Sequence, residues 1–208
     1  MARFDTQVGI VGAGPAGLML SHLLHLNGIH SIVLEAKSRR HCEERIRAGV
    51  LEQGTVDMLR AAGVGDRLDG EGLRHEGIEL GLNGQRFRIP FVELTGKSVT
   101  VYGQHEVIKD LIARRLADRG DLRFESGEVS VHNLEGPQPF LQIPSDRATG
   151  EIHCDFIAGC DGFHGICRPF IPDGAFAVFE HVYPFAWLGI LAEAPPLRDE
   201  LLYMHHER

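Results

Sequence analysis

A chain of 208 residues, 43% hydrophobic and 24% charged, can bury a sizeable core in one or two domains. Its formal charge of -8 excludes a general attraction to nucleic acid or to anionic membranes, so an anionic ligand has to find a local basic site. There is no run of about 18 apolar residues, the first residues lack a signal peptide's apolar stretch, and the four cysteines form no CxxC pair. The expectation is a cytoplasmic protein with structural thiols, no bound metal, and no membrane or nucleic-acid partner.

In chain order, Gln7 to Val11 is a short apolar run that ends at Gly12-Ala13-Gly14-Pro15-Ala16-Gly17. Pro15 to Leu26 then carries helical apolar spacing and is closed by Asn27-Gly28. Ser31 to Glu35 reads as a second buried strand with its acid 18 positions after Gly17. Strand, glycine turn, helix, strand and acid make a dinucleotide unit, in which the pyrophosphate lies on the helix N-terminus and the acid meets a ribose diol. The turn by itself allows NAD, NADP or FAD.

Lys37 to Arg47 reads as a basic loop. Arg39 and Arg40 suit either a solvated surface pair or a phosphate site, whereas Arg45 and Arg47 flank Ile46 and enter a glycine-containing segment able to approach a cofactor. A helix is expected over Leu51 to Ala62, paired strands over Glu76 to Ile89 around Asn83-Gly84, and a strand over Ser98 to Tyr102. His105 to Arg119 reads as a helix with Val107, Leu111, Ile112 and Leu116 on its apolar face. Phe124 to Leu134 and Pro139 to Ile143 suggest a strand pair, and Asp146 to Gly150 a turn.

Cys154 to Cys160 is an apolar strand that stops at Asp161-Gly162. Asp161 suits either a tight turn after a buried strand or a contact to a ribityl chain, which would select flavin. Beyond Pro172-Asp173-Gly174 the composition changes, and Val178 to Ala192 reads as an aromatic-rich sheet that opens a second domain. The pattern predicts an α/β, Rossmann-like nucleotide-binding domain with an antiparallel insertion.

Four strings are more specific: Arg45 through Gly54, Val101-Tyr102-Gly103-Gln104, Cys160 through Gly165, and Val182-Tyr183-Pro184-Phe185. On these the chain resembles, over essentially its whole length, the class A flavoprotein monooxygenases. The resemblance implies an FAD-binding domain over 1–177, with its insertion around 72–104, and the beginning of a β-rich substrate domain over 178–208. It implies Gly12, Gly14 and Gly17 at the FAD pyrophosphate, Glu35 on the adenosine ribose, Arg47 and Gln104 in contact with FAD, and Asp161 near the ribityl chain. His164 and Arg168, with Arg45 close by, would assist NADPH or NADH.

The implied reaction spends O2 and NAD(P)H to hydroxylate a small phenolic acid, 4-hydroxybenzoate, to 3,4-dihydroxybenzoate in a homodimer. Tyr203 matches the tyrosine that hydrogen-bonds the phenol, and His75 the histidine that ends a proton relay to solvent. Another phenol, or a nucleotide-binding module without catalysis, are the alternatives. Two departures stand out. Ala36 replaces an arginine of the best-known members, which leaves NADPH against NADH open, with Lys37, Arg39 and Arg40 available for a 2′-phosphate. The sequence also ends soon after Tyr203, so the expectation is a fragment that lacks the family's carboxylate clamp and third FAD motif and exposes Phe185, Trp187 and Leu188.

Overall fold

Residues 8–11 are buried in succession, without the alternation of a half-exposed strand, because their strand lies between two parallel neighbours. The computed structural model describes residues 2–144, 150–172, 174–190, 192–195 and 197–206. The chain opens with β1 (Ala2–Val11), α1 (Pro15–Leu26), β2 (Ser31–Leu34) and α2 (Arg39–Glu44). β3 (Val50–Glu52), α3 (Gln53–Ala61), α4 (Asp66–Glu71) and β4 (Leu73–His75) lead to β5 (Ile78–Leu82) and β6 (Gln85–Ile89). After α5 (Phe91–Thr95), β7 (Val99–Val101) and α6 (Gln104–Ala117) come β8 (Asp121–Arg123), β9 (Ser130–His132), β10 (Phe140–Ile143), β11 (Gly150–Gly159) and β12 (Leu201–Met204).

The chain divides into two units, Met1–Arg74 with Thr100–Phe170, and His75–Val99 with Ile171–Arg208. In the first, a six-stranded sheet runs in the order β8-β2-β1-β11-β10-β9. The β8, β2, β1 and β11 strands are parallel, and β10 turns back antiparallel to both β11 and β9. Alternate residues of β1 and β2 feed two cores. Val8, Ile10 and Val33 pack with Leu18 of α1, Leu59 of α3, and Leu111 and Ile112 of α6, while Val11, Ile32 and Leu34 pack with Leu141 and Ile152. This is an α/β Rossmann-like fold with antiparallel insertions.

Local chemistry explains the elements that carry the site. Pro15 begins α1, where its missing N–H costs nothing, and the helix ends with Asn27 and Gly28, the latter at φ +71, while the Ile29 N–H returns to the Leu24 carbonyl at 3.0 Å. Helix α6 buries Val107, Ile108, Leu111 and Ile112 on one face. Among the described residues no helix is long and apolar enough to cross a membrane.

The second unit is built around the β5–β6 hairpin, whose Asn83-Gly84 turn has φ of 50 and 72, the left-handed pair that matches strand twist. β12 pairs parallel to β5, so the sheet order is β12-β5-β6. Arg88 grips the Glu200 carboxylate through two 2.9 Å bonds, and Glu79 faces Arg198 at 3.0 Å and Arg86 at 3.3 Å. β4 and β7, through which the chain leaves the first unit and re-enters it, belong with β3 to a small sheet of order β3-β7-β4.

Several expected elements differ. The basic loop contains α2, capped by the Ser38 hydroxyl, which accepts from the His41 N–H at 3.2 Å. The expected helix from Leu51 begins only at Gln53, because Val50 to Glu52 pair as a strand, and the short helices α4 and α5 had no periodicity to announce them. The strand expected over Phe124 to Leu134 is confined to Ser130–His132, with β8 formed earlier as the parallel partner of β2. Of the expected 146–150 turn, 146–149 lie outside the described residues and Gly150 opens β11. The expected sheet over Val178 to Ala192 is absent among the described residues, where no strand forms and the aromatic side chains stay exposed. Aromatic content alone cannot make a strand without a partner to complete its hydrogen bonds.

Candidate cofactor site

β1 ends at Gly12, whose φ of +104 and tight contact explain the need for glycine: a Cβ there would lie 2.5 Å from the Cys160 carbonyl oxygen at the end of β11. Gly17, in the first turn of α1, is closed differently, since a Cβ would sit on the Gly12 carbonyl oxygen. Gly14 has nothing within 4 Å of its Cβ position. It is the N-cap of α1, which has no side-chain cap and no acidic residue in its first turn. The positive end of the helix therefore faces open space, the arrangement that receives a phosphate.

Glu35, just past β2, bridges this turn to the next segment. Its carboxylate accepts from the Ala13 N–H at 2.9 Å and from the Lys37 N–H at 2.8 Å. Asp161, just past β11, accepts from the Cys167 N–H at 2.9 Å. Gly165 lacks a side chain where a Cβ would strike the Asp161 carboxylate. The three strand ends thus converge at the carboxyl edge of the parallel strands, where open α/β sheets bind ligands.

The cavity there measures about 620 Å³. Gly12, Gly14, Glu35 and Asp161 line it, and Arg45, Arg47, Gln104 and His164 join them from three other segments. Arg45, Arg47 and Lys37 supply a local cationic wall in an otherwise acidic chain. The polar turn, the uncapped helix start and this wall fit a dinucleotide diphosphate. Burial pushes the Cys42 thiol up to about 11, and burial with the Asp161 carboxylate pushes Cys167 up to about 12. Both remain protonated near neutrality, as befits packing rather than nucleophilic sulfur.

The remaining sequence candidates lie elsewhere. Gly17 sits beneath the turn, and Arg168 stacks its guanidinium 5.0 Å from the Phe163 ring, which in turn meets His164 edge-on at 5.0 Å. His75 and Tyr203 belong to the second unit. His75 is only 7% exposed, and its Nδ1 accepts from the Leu201 N–H at 3.1 Å, so the neutral ring carries its proton on Nε2. Tyr203 is 55% exposed, opposite Leu80 on β5.

Sequence reading missed His41 and Cys42 on α2, and Gly127 to Val129, which also line the cavity. The signals for α2 were Ser38 as a cap and the i,i+4 spacing of Arg39 with Glu43 and of Arg40 with Glu44. Nothing local marks residues 127–129, which come to the site through sheet order. Arg39 and Arg40 are engaged within α2, with Glu43 at 2.7 Å and Glu44 at 2.9 Å.

Known proteins share this architecture. The FAD binding domain family matches residues 5–208. The p-hydroxybenzoate hydroxylase of Acinetobacter baylyi is 47% identical over 209 aligned residues, covering 100% of this chain and 52% of that protein. A phenol 2-monooxygenase from a Pseudomonas species is 36% identical over 177 residues, 76% of this chain and 29% of the relative. In structure, pqsL from Pseudomonas aeruginosa, described as a probable FAD-dependent monooxygenase, superposes with a TM-score of 0.69 at 18% identity over 86% of this chain and 48% of its own, a likeness of fold alone. The chain spans about half the length, or less, of the curated relatives it matches. From the glycine turn to the match along nearly its entire length, the chain belongs to the FAD binding domain family, as a class A FAD-binding monooxygenase domain related to p-hydroxybenzoate hydroxylase with FAD as its cofactor.

Proposed function

We propose that the protein carrying this domain is an aromatic hydroxylase that uses NAD(P)H and O2 to convert 4-hydroxybenzoate to 3,4-dihydroxybenzoate. The observation that carries this reading is the 47% identity to p-hydroxybenzoate hydroxylase along 100% of the chain. The division into an FAD-binding domain over 1–177 and a substrate domain from 178, a homodimeric assembly and a cytoplasmic location belong to the same proposal.

When bound, FAD accepts reducing equivalents and activates oxygen, which no side chain can do. The protein binds and orients it. In this reading the N–H groups around Gly14 and the start of α1 receive the pyrophosphate, with Arg47 and Gln104 beside it. Glu35 has about four lone-pair directions, of which two serve the Ala13 and Lys37 N–H groups, so the others remain for the ribose diol. Asp161, held by the Cys167 N–H, faces the ribityl chain. Arg45, His164 and Arg168 attend the nicotinamide coenzyme. Arg39 and Arg40 pair only with Glu43 and Glu44 one turn along α2, exposed pairs of little energy, so with Lys37 they stay available for its 2′-phosphate.

For the phenol, Tyr203 shares the substrate's proton and His75 passes it on. To take up that proton the His75 ring must release Nδ1 from the Leu201 N–H, since Nε2 already carries one and is the nitrogen from which a proton then leaves. The test is oxidation of NADPH or NADH by the full-length, FAD-loaded protein. Stimulation by 4-hydroxybenzoate with formation of 3,4-dihydroxybenzoate is expected. Stimulation by phenol or 3-hydroxybenzoate in its place would favour a second reading, hydroxylation of another phenol, which the 36% identity to phenol 2-monooxygenase supports. Bound flavin that neither coenzyme reduces would leave a binding module.

A further inference from the structure

We propose that Tyr102 is a positioning residue for the cofactor: its phenol, by donating to Asp110, ties the segment that bears Arg47 to helix α6, whose first residue is Gln104. The inference rests on the FAD-contact reading of Arg47 and Gln104 given above. Tyr102 is 4% exposed, and its ring belongs to the larger core, while its O–H donates to Asp110 Oδ2 at 2.7 Å. A phenol suits the place because its ring can be buried while its hydroxyl reaches a polar partner. Burial and the Asp110 charge raise its pKa, so it stays a donor.

The backbone completes the tie. The Tyr102 N–H donates to the Gly49 carbonyl at 2.9 Å. Gly49 has no room for a side chain, since a Cβ would sit on the Tyr102 carbonyl oxygen and 2.7 Å from the Gln104 nitrogen. Residues 47–49 and 102–104 therefore lie against one another as one layer, from which Arg47 and Gln104 both reach the cavity wall. Gln104 opens α6, so the phenol's bond to Asp110, about two turns further along that helix, holds residues 47–49 and 102–103 against it. Asp110 is itself held by Arg67, which also grips Glu71 and Glu106, so the acceptor is fixed from outside the layer.

FAD titration of the full chain by flavin fluorescence, alongside the thermal midpoint of the FAD-free protein, tests this. Tyr102→Phe keeps the ring and leaves Asp110 paired with Arg67, so the protein folds; its FAD dissociation constant is expected to rise about tenfold, the loss of one hydrogen bond to a charged acceptor. Leu111→Val trims a fully buried side chain of the same helix and is expected to lower the midpoint while FAD binding stays within about twofold. In an Arg47→Ala background the Tyr102→Phe effect is expected to shrink, as coupling requires. FAD binding by Tyr102→Phe within about twofold of the wild type, or equal weakening by Leu111→Val, overturns the proposal. If the wild type binds FAD and neither Arg47→Ala nor Gln104→Ala weakens it, the assignment of those contacts fails instead.

Discussion

The two units are specified by different forces. Every buried core hydrophobic among the described residues lies in the first unit, where side chains of β1 and β2 fill both faces of a six-stranded sheet. The second unit has none, and its three strands are aligned by a left-handed hairpin turn, the Arg88–Glu200 fork and the His75–Leu201 bond. Phe179 and Trp187 in that unit are 92% and 93% exposed. The cofactor cavity is built in the unit whose geometry is fixed by burial, and the phenol-handling candidates His75 and Tyr203 stand in the unit fixed by register. Burial holds atoms to tenths of an ångström, whereas exposed ion pairs set alignment with little energy.

Mutations can break or sharpen this contrast. The largest effect is expected at Gly17→Ala, where backbone blocks the new Cβ; the protein should lose at least about 3 kcal/mol of stability and retain no flavin on purification. Gly189→Ala in the second unit meets nothing within 4 Å and should bind flavin unchanged, so equal losses at both positions would erase the contrast. Next, Leu18→Ala at a fully buried site should cost roughly 2–5 kcal/mol in a urea titration, against less than about 0.5 kcal/mol for Trp187→Ala. A Trp187→Ala penalty as large as that of Leu18→Ala would mean the second unit has a core after all.

A smaller, pH-dependent effect belongs to Glu106, whose carboxyl is lowered to about 2 by the Lys109 ammonium and the Arg67 guanidinium. An unfolded glutamate takes up its proton near pH ~4.3, before the folded one does. The pairing therefore stabilises the protein above that pH and is lost as pH falls from there through about 2, a change of order 1–3 kcal/mol. Glu106→Gln should flatten that part of a thermal-midpoint profile; an unaltered profile would remove Glu106 from the account. The smallest effect is expected for Arg88→Met, with amide exchange a few-fold faster along Leu201–Met204 and no change at the glycine turn. Glu200 is held below the usual carboxylate range chiefly by its Arg88 hydrogen bonds, so in wild type the protection of the same amides, relative to their intrinsic exchange rates, should fall as that carboxyl is protonated in acid.

Much of the fold was legible because its signals are local. Gly12 to Gly17, Pro15 at the helix start, Asn27-Gly28 at its end and Asn83-Gly84 in the hairpin each state a backbone conformation that few other residues adopt. The α6 stripe was equally plain. Less legible were elements whose existence depends on a distant partner: β3 and β8 are three residues each and form because β7 and β2 lie beside them. The aromatic stretch after Val178 misled for the same reason, since strand-forming residues stay irregular where no neighbouring strand completes their bonds.

What the sequence determined by itself was the glycine turn, the acid after β2, the Asp161-Gly162 stop and the strings that tie the chain to its family, because each is a matter of which residue stands next to which. Only the tertiary structure decided that His75 is buried, that its Nδ1 meets the Leu201 N–H, and that Tyr102 joins the segment bearing Arg47 to α6. Those outcomes depend on contacts between residues far apart in the chain, which are not written in local spacing.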